Sequence, residues 1–226
     1  MIAIRKNLCP EGRYDLKCPY TRTPSRIVVH NTANDAPAWN EITYMVNRPE
    51  AVSFHYAVDD KEAVQGLPLD RNAWASGDSH GVGNMEGIHV EICYSLSGGE
   101  KFAKAERNAA RLIADLLKQY GWSIGKVTKH QDYDGKYCPH RTLDLGWQRF
   151  LDMVAAYMET EEEMRYNKIS EMPGWAQATV RNLCDRKYLS GSGGKKDENG
   201  YPADLDLSAD MLRIFVINDR AGIYGA

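Results

Sequence analysis

The residue types best suited to metal chemistry lie close together in the stretch 128–141, which contains His130, Lys136 and Cys138. A neutral imidazole and a thiolate are ligands that suit a tetrahedral zinc ion. A single His-x7-Cys pair is weak support on its own, because such spacings arise by chance in many proteins. Whether this pair binds a metal depends on a third ligand, a base and a cleft supplied by the rest of the chain.

A third ligand is offered by His30, which ends a β-branched run at 26–30 that predicts a buried strand. Open α/β sheets tend to place their sites at the carboxyl ends of strands. His30, His130 and Cys138 together would leave one position of a zinc ion open, as a catalytic site requires. On residue type alone, the alternatives are a hydrogen-bonded core histidine at position 30 and an inert buried thiol at position 138.

Two charged residues could take part in metal-assisted hydrolysis of an amide. Glu91 lies within the strand predicted at 87–94, where a carboxylate is costly unless it has a partner or a function. It could serve as general base for the attacking water, while Lys136 could stabilise the developing oxyanion. The alternatives are an ion pair of Glu91 with an arginine and a surface position for Lys136. We interpret His55 and His89 as structural or cleft-lining, and His80 as solvated.

The elements that would position these residues follow from the hydrophobic pattern. Residues 1–25 have no clear period and predict an irregular leader. Strands are predicted at 53–59, 63–66 and 126–130, in addition to those at 26–30 and 87–94. Helices are predicted at 39–47, 100–120 and 146–158, the second of them ended by Gly121. The long loop 70–86, which carries Trp74, is typical of a binding loop.

Composition limits the possible partners. The 226 residues carry a formal net charge of −3 from well-mixed charges, which argues against a nucleic-acid partner. No apolar run is long enough to span a bilayer, so no membrane partner is expected. The N-terminus lacks the apolar core of a secretory signal, so we expect synthesis in a cytoplasm. Of the five cysteines, Cys9 and Cys18 could pair, although the reduced form is favoured, and Cys184 is expected in a helical core.

The composition changes at the acidic run 159–163, which predicts a solvated helix end or a linker. Beyond it, residues 164–226 predict a small helical domain. Its elements are a helix at 173–186, a Gly/Ser-rich loop at 190–202 and a helix capped by Ser208. Two helices make a small core, so we expect this unit to pack on the first domain, on a second copy or on a target.

Five short segments carry a family resemblance when they are taken together and in order. They are Val29-His30-Asn31-Thr32, Ser53-Phe54-His55-Tyr56, Arg71-Asn72-Ala73-Trp74, Val90-Glu91-Ile92-Cys93 and His130…Gly135-Lys136-Tyr137-Cys138-Pro139-His140. This set resembles the zinc-dependent N-acetylmuramoyl-L-alanine amidases of the type 2 amidase and peptidoglycan recognition protein superfamily. The likeness spans about residues 1–158 and is strongest to amidase endolysins of phages and prophages of Gram-positive bacteria.

The resemblance implies an α/β fold with a mixed central β-sheet flanked by helices and a zinc cleft. It implies cleavage of the amide between N-acetylmuramic acid and L-alanine in peptidoglycan, after release from the host cytoplasm through a holin. It places the zinc ligands at His30, His130 and Cys138, and the catalytic groups at Glu91 and Lys136. Other branches of the superfamily have a tyrosine near position 54, where this chain has Phe54. That departure leaves more of the proton transfer to Glu91.

Substrate contacts are weaker expectations of the same resemblance. We expect Asn31, Phe54, Trp74 and Tyr133 to contact the glycan or the peptide, with simple burial as the alternative. Residues 175–213 faintly resemble one helical repeat of S-layer-homology-like modules, so the C-terminal domain is expected to bind cell wall or to mediate a homodimer.

Two rival functions remain open at this point. One is a peptidoglycan-binding protein without catalysis, although such members typically lose the cysteine that Cys138 would match. The other is a thiol-dependent wall peptidase with Cys138 or Cys93 as nucleophile.

Overall fold

A mixed β-sheet organises the first 158 residues. The computed structural model describes residues 2–162 and 165–224, with the side chains of 159–162 excepted. Within that part of the chain, the sheet contains six strands in the order β1-β4-β3-β5-β2-β6. They are β1 (Ile4–Lys6), β2 (Arg26–Asn31), β3 (Tyr56–Val58), β4 (Ala63–Gln65), β5 (Gly87–Ile92) and β6 (Val127–Lys129). β3 and β4 are antiparallel, whereas the other neighbouring strands are parallel.

Within the described residues, four helices connect the strands of this unit and three follow the last strand. They are α1 (Tyr14–Lys17), α2 (Ala38–Asn47), α3 (Val82–Glu86), α4 (Gly99–Tyr120), α5 (Gln131–Asp134), α6 (His140–Asp144) and α7 (Trp147–Glu162). The long α4 buries one apolar stripe that includes Leu112, Ile113 and Leu117, and it ends at Gly121, whose φ of 64° is the left-handed conformation of a helix stop. Among the described residues, no helix is long and apolar enough to cross a membrane.

The parallel pair β2 and β5 forms the centre of the core. Ile27, Val28 and Val29 are fully buried, as are Ile88 and Val90. Burial on both faces explains why these strands are almost continuously apolar in sequence. The two strands run in register to their carboxyl ends, so that His30 lies opposite Glu91. The topology thus brings a predicted ligand and the predicted base to the same edge of the sheet.

Several predicted elements need correction. The leader is not irregular throughout, because β1 pairs in parallel with β4 at the edge of the sheet. The strand predicted at 53–59 is confined to Tyr56–Val58, so Phe54 precedes it. The predicted loop 70–86 ends in α3. α7 extends to Glu162, so most of the predicted acidic linker is helical, and its last residue, Glu163, lies outside the described residues.

The contacts between residues divide the chain into units 1–158 and 159–226. In the second unit, α8 (Gly174–Asp185) and α9 (Ala209–Arg220) pack through a core that includes Ala176, Val180, Leu212 and Val216. The hydroxyl of Ser208 accepts a hydrogen bond from the backbone N–H of Met211, which confirms the predicted cap. A short antiparallel pair, β7 (Arg165–Tyr166) and β8 (Leu207–Ser208), was not predicted from the sequence.

Candidate metal centre and active site

The three predicted metal ligands meet at the carboxyl edge of the sheet. His30 is the penultimate residue of β2, His130 follows β6, and Cys138 lies between α5 and α6. The Nδ1 atoms of His30 and His130 are 3.1 Å apart, and Cys138 Sγ lies 4.0 Å from His30 Nδ1. All three side chains are buried, and their ligand atoms lie within 4.8 Å of one another. Segments separated by about a hundred residues thus converge on one point.

The protonation of His30 is fixed by a chain of hydrogen bonds behind its ring. His89 Nε2 lies 3.0 Å from the carbonyl oxygen of Gly83, which can only accept, so this nitrogen donates. His89 Nδ1 must then accept from His30 Nε2 at 2.9 Å. The remaining nitrogen of His30, Nδ1, therefore carries a lone pair that faces His130 Nδ1.

The ring of His130 is oriented by a carboxylate. Its Nε2 lies 3.1 Å from Asp134 Oδ2, and because a carboxylate accepts, Nε2 donates and Nδ1 again carries a lone pair. Two lone pairs 3.1 Å apart repel each other unless a cation lies between them. Two imidazole nitrogens and one sulfur, each histidine held from behind, are the donor set of a zinc site. The residues present therefore fit the metal that the resemblance implies.

Burial lowers the pKa of both histidine ligands. It lowers the pKa of His30 well below the usual range of histidine, with the charges of neighbouring histidines adding to the effect. It also lowers the pKa of His130, although Asp134 opposes the shift. Both histidines are therefore neutral near pH 7, the state in which imidazole binds a metal.

The thiol of Cys138 does not have the properties of an independent nucleophile. With no metal bound, burial raises the pKa of Cys138 to about 12. The charge of Glu91 adds to this rise and that of Lys136 opposes it. Burial also raises the pKa of Cys93, far above the normal range of a thiol. A reactive cysteine needs a depressed pKa, so the burial of these two thiols argues against a thiol peptidase.

Glu91 lines a cavity of about 330 Å³ beside the three ligands. Its Oε2 is buried and accepts no hydrogen bond among the described residues. Burial raises the pKa of Glu91 to about 8, the negative charge of Glu41 raises it further, and Lys136 opposes the rise. A carboxyl group whose pKa lies near the working pH can both take and return a proton. The structure thus places Glu91 in the cavity beside the three candidate ligands, and its role as base stays a prediction.

Lys136 lines the same cavity from the loop between α5 and Cys138. Its backbone N–H donates to Asp134 Oδ1 at 2.9 Å, which ties the loop to the group that orients His130. The side chain is exposed, and its ammonium group has no carboxylate partner in the described parts of the chain. It is therefore available to a substrate oxygen.

Comparison with known proteins decides the family. The family model described as N-acetylmuramoyl-L-alanine amidase matches residues 20–141, more than half of the chain. The chain belongs to this amidase family. N-acetylmuramoyl-L-alanine amidase XlyB of Bacillus subtilis (strain 168) is 54% identical over 162 residues, which are 71% of this chain and 50% of XlyB. CwlA of the same organism is 43% identical over 214 residues, 94% of this chain and 75% of CwlA.

A solved structure supports the same assignment. The structure titled "Structure of PlyL" is 53% identical to this chain with a TM-score of 0.67, and the match covers 68% of this chain and 97% of PlyL. The predicted family and the predicted mixed sheet flanked by helices are therefore confirmed. The chain spans only half the length of XlyB, so the activity of the whole protein is a matter of proposal.

The predicted substrate-contact residues occupy different environments. Phe54 is buried and lines the cavity. Trp74 is half-buried and lines a neighbouring groove that also reaches His130 and Lys136. Tyr133 lines neither, and its hydroxyl pairs with Thr128 Oγ1 at 2.7 Å. Contacts of these residues with substrate stay predictions, and the geometry favours the first two.

Asn31 lines the cavity but is engaged within the protein. Its Oδ1 accepts from the backbone N–H groups of Arg141 at 2.9 Å and Thr142 at 3.2 Å, and its Nδ2 donates to the carbonyl of His30 at 3.1 Å. This side chain joins the end of β2 to the start of α6, just after Cys138. The structure gives Asn31 a positioning role, and its predicted substrate contact stays untested.

Three residues of the site were missed or only partly interpreted from the sequence. Asp134 orients His130, and its position four residues after that histidine was the available signal. His89, interpreted as structural or cleft-lining, holds the ring of His30. Glu41 faces the cavity from α2, where it lies among the buried residues Ile42 and Met45. A carboxylate on the inward face of an amphipathic helix was the signal there.

Proposed function

We propose that this chain is a zinc-dependent N-acetylmuramoyl-L-alanine amidase, an endolysin-type peptidoglycan hydrolase. Its substrate would be the amide between the lactyl group of N-acetylmuramic acid and L-alanine of the stem peptide. The observation that carries the proposal is the convergence of two imidazole lone pairs and a thiol beside an unpartnered carboxyl group. Relatives named as N-acetylmuramoyl-L-alanine amidases support the substrate.

His30, His130 and Cys138 would hold the metal, with His89 and Asp134 fixing the two rings. When bound, zinc supplies a Lewis acid that lowers the pKa of a water molecule and polarises a carbonyl group. This chemistry leaves two tasks to the protein: moving a proton and stabilising negative charge.

Glu91 performs the proton transfer. Its carboxylate takes a proton from the attacking water as the new C–O bond forms, and it gives that proton to the amide nitrogen as the C–N bond breaks. The products are the lactyl carboxylate on the glycan and a free amino group on L-alanine. The ammonium group of Lys136 stabilises the negative charge that develops on the carbonyl oxygen. Phe54 has no hydroxyl group, so it cannot share the proton transfer.

Mass spectrometry of digested bacterial cell wall tests this proposal. We expect new free amino groups on L-alanine with intact glycan strands. Cleavage between sugars, or within the stem peptide, would contradict the proposal. Binding to cell wall without any cleavage by the metal-loaded protein would instead support the non-catalytic alternative.

Action on the cell wall would follow the protein's release from the cytoplasm in which it is made. Release through a holin is a prediction from the endolysin resemblance. The proposed partner is the peptidoglycan polymer. The test of this action is whether the purified protein lyses isolated cell wall.

For the C-terminal unit we propose cell-wall binding, with homodimerisation as the second candidate. Trp175, 47% exposed, lines a groove with Arg213, Arg220 and Ile217. An exposed aromatic ring beside two guanidinium groups suits a polymer with sugar faces and anionic groups. Exposed apolar residues on α9, Ile217 among them, favour the dimer instead. Loss of co-sedimentation with cell wall in Trp175→Ala would support wall binding. A molar mass of two chains in solution would support the dimer.

A further inference from the structure

A second carboxyl group in the cavity has no structural explanation. Glu41 lies on the inward face of α2, is 8% exposed, and lines the cavity that contains Glu91 and the three metal-ligand candidates. Its Oε1 is buried and accepts no hydrogen bond within the described residues. Burying a carboxyl oxygen without a donor costs free energy that an apolar residue at the same place would avoid.

No cation among the described residues forms an ion pair with the carboxyl group of Glu41. A hydrogen bond from Asn34 favours its ionised form only in part, and burial still raises the pKa of Glu41. Arg48, which follows the last residue of α2 and also lines the cavity, pairs with Glu50 at 2.7 Å. Glu91 lines the same cavity and offers no positive charge, and the negative charge of Glu41 raises the pKa of Glu91.

The contrast with Glu106 shows what a structural buried carboxylate looks like in this fold. Glu106 is 2% exposed on α4, and its Oε1, like that of Glu41, accepts no hydrogen bond within the described residues, but its Oε2 accepts from Arg149 of α7 at 2.6 Å. That ion pair joins two helices. Glu41 has no cationic partner of this kind among the described residues, and it lines the cavity in which a substrate of the proposed amidase would bind.

We propose that Glu41 is a specificity-determining residue whose carboxyl group accepts a hydrogen bond from an amide N–H of the stem peptide. The inference rests on the proposed amidase function. A peptide in the cavity presents several N–H groups that lose water on binding, and each needs an acceptor. The carboxyl group, which lacks a full set of donors in the free protein, then gains one when the peptide is bound.

Two substitutions at this position separate recognition from structure. Glu41→Met removes the acceptor and keeps the approximate volume, whereas Glu41→Gln retains an oxygen acceptor. With a soluble N-acetylmuramoyl tripeptide as substrate, we expect Glu41→Met to raise KM at least tenfold while kcat changes less than threefold. Glu41→Gln should raise KM less than threefold. The melting temperature of Glu41→Met should equal or exceed that of the wild type, because a buried unpaired carboxyl group has been removed.

Glu106→Met is the matched control, and it should lower the melting temperature and leave KM unchanged. A KM of Glu41→Met within twofold of the wild type would overturn the inference. So would a Glu41→Met protein that fails to fold, because the carboxyl group would then be structural. If the wild type did not cleave the muramoyl–L-alanine bond at all, the proposed function would fail. Normal cleavage with an unaffected Glu41→Met would reject only the role of Glu41.

Discussion

At the scale of single residues, the hydrogen bonds behind each histidine set the tautomers that the proposed metal binding requires. His89 and Asp134 each engage the far nitrogen of a ligand ring, so that both lone pairs point to one place. A ligand that is fixed in this way loses little conformational freedom when a metal binds. Substitution of the groups that hold the ligands should therefore weaken metal binding, as substitution of the ligands would.

Removing the carboxylate behind His130 tests this arrangement. We expect Asp134→Ala to weaken zinc binding about 10- to 100-fold, because the ring of His130 loses its orientation and its tautomer. Competition with a chromophoric chelator measures the affinity. Asp132→Ala is the control, since Asp132 bonds to Lys129 and not to a ligand. Equal zinc affinity in both variants would show that Asp134 does not position His130.

The raised pKa of Glu91 predicts how the stability of the metal-free protein depends on pH. Because folding raises this pKa to about 8, the folded state holds the proton more tightly than the unfolded state. The stabilisation is complete below the normal pKa of a glutamate and is lost as the pH rises through about 8. We expect the free energy of unfolding to fall by on the order of 2 kcal/mol between pH 5 and 8, less steeply in Glu91→Gln.

Urea denaturation of both metal-free proteins at several pH values measures this difference. Glu41 contributes a shift of the same sign, so Glu91→Gln should reduce the slope and not abolish it. Identical slopes in the two proteins would contradict the burial of an ionisable Glu91.

At the scale of elements, the site depends on how α6 is joined to β2. The side chain of Asn31 accepts from two backbone N–H groups at the start of α6, and this holds the chain just after Cys138. We expect Asn31→Ala to destabilise the protein by about 1–3 kcal/mol, because those donors lose their acceptor. Zinc affinity should fall as well, since Cys138 is no longer held in place.

Asn108→Ala is a suitable control for this variant. Asn108 Nδ2 donates to the carbonyl of Asp59 at 2.9 Å, away from the three ligands. Its loss should lower the melting temperature without changing zinc affinity. A normal zinc affinity in Asn31→Ala would show that α6 keeps its place by other contacts.

Elements with strong hydrophobic periodicity could be predicted from the sequence, and those formed only by distant pairing could not. α4 was predicted to within one residue because its apolar stripe is long and Gly121 stops it. β1 was missed because Ile4, Arg5 and Lys6 are all exposed and have no apolar pattern. Only the distant pairing with β4 makes this segment a strand.

The same distinction holds for the site. The five short segments of the resemblance indicated the ligands and Glu91, because residue type and order suffice there. The unpaired oxygen of Glu41 could not be predicted, because it results from how α2 packs against β3 and β4. The role of Asn31 depends on a contact across 110 residues of chain. Such contacts follow from the fold and not from local pattern.

At the scale of the whole molecule, the chain combines a unit that carries the complete candidate site with a small helical unit that has its own core. The similarity to CwlA covers 94% of the chain and therefore extends into the second unit. Both units would act on one polymer if the second binds cell wall. In that arrangement, binding raises the effective concentration of the catalytic unit at its substrate.

The central claim is that His30, His130 and Cys138 hold a zinc ion on which hydrolysis depends. The most direct measurement combines zinc content by mass spectrometry with the release of amino groups from cell wall, before and after chelation. We predict one zinc ion per chain, loss of activity when it is removed, recovery when zinc is returned, and neither zinc nor activity in Cys138→Ala. Full activity after complete removal of metal, abolished only by a thiol reagent, would contradict this account.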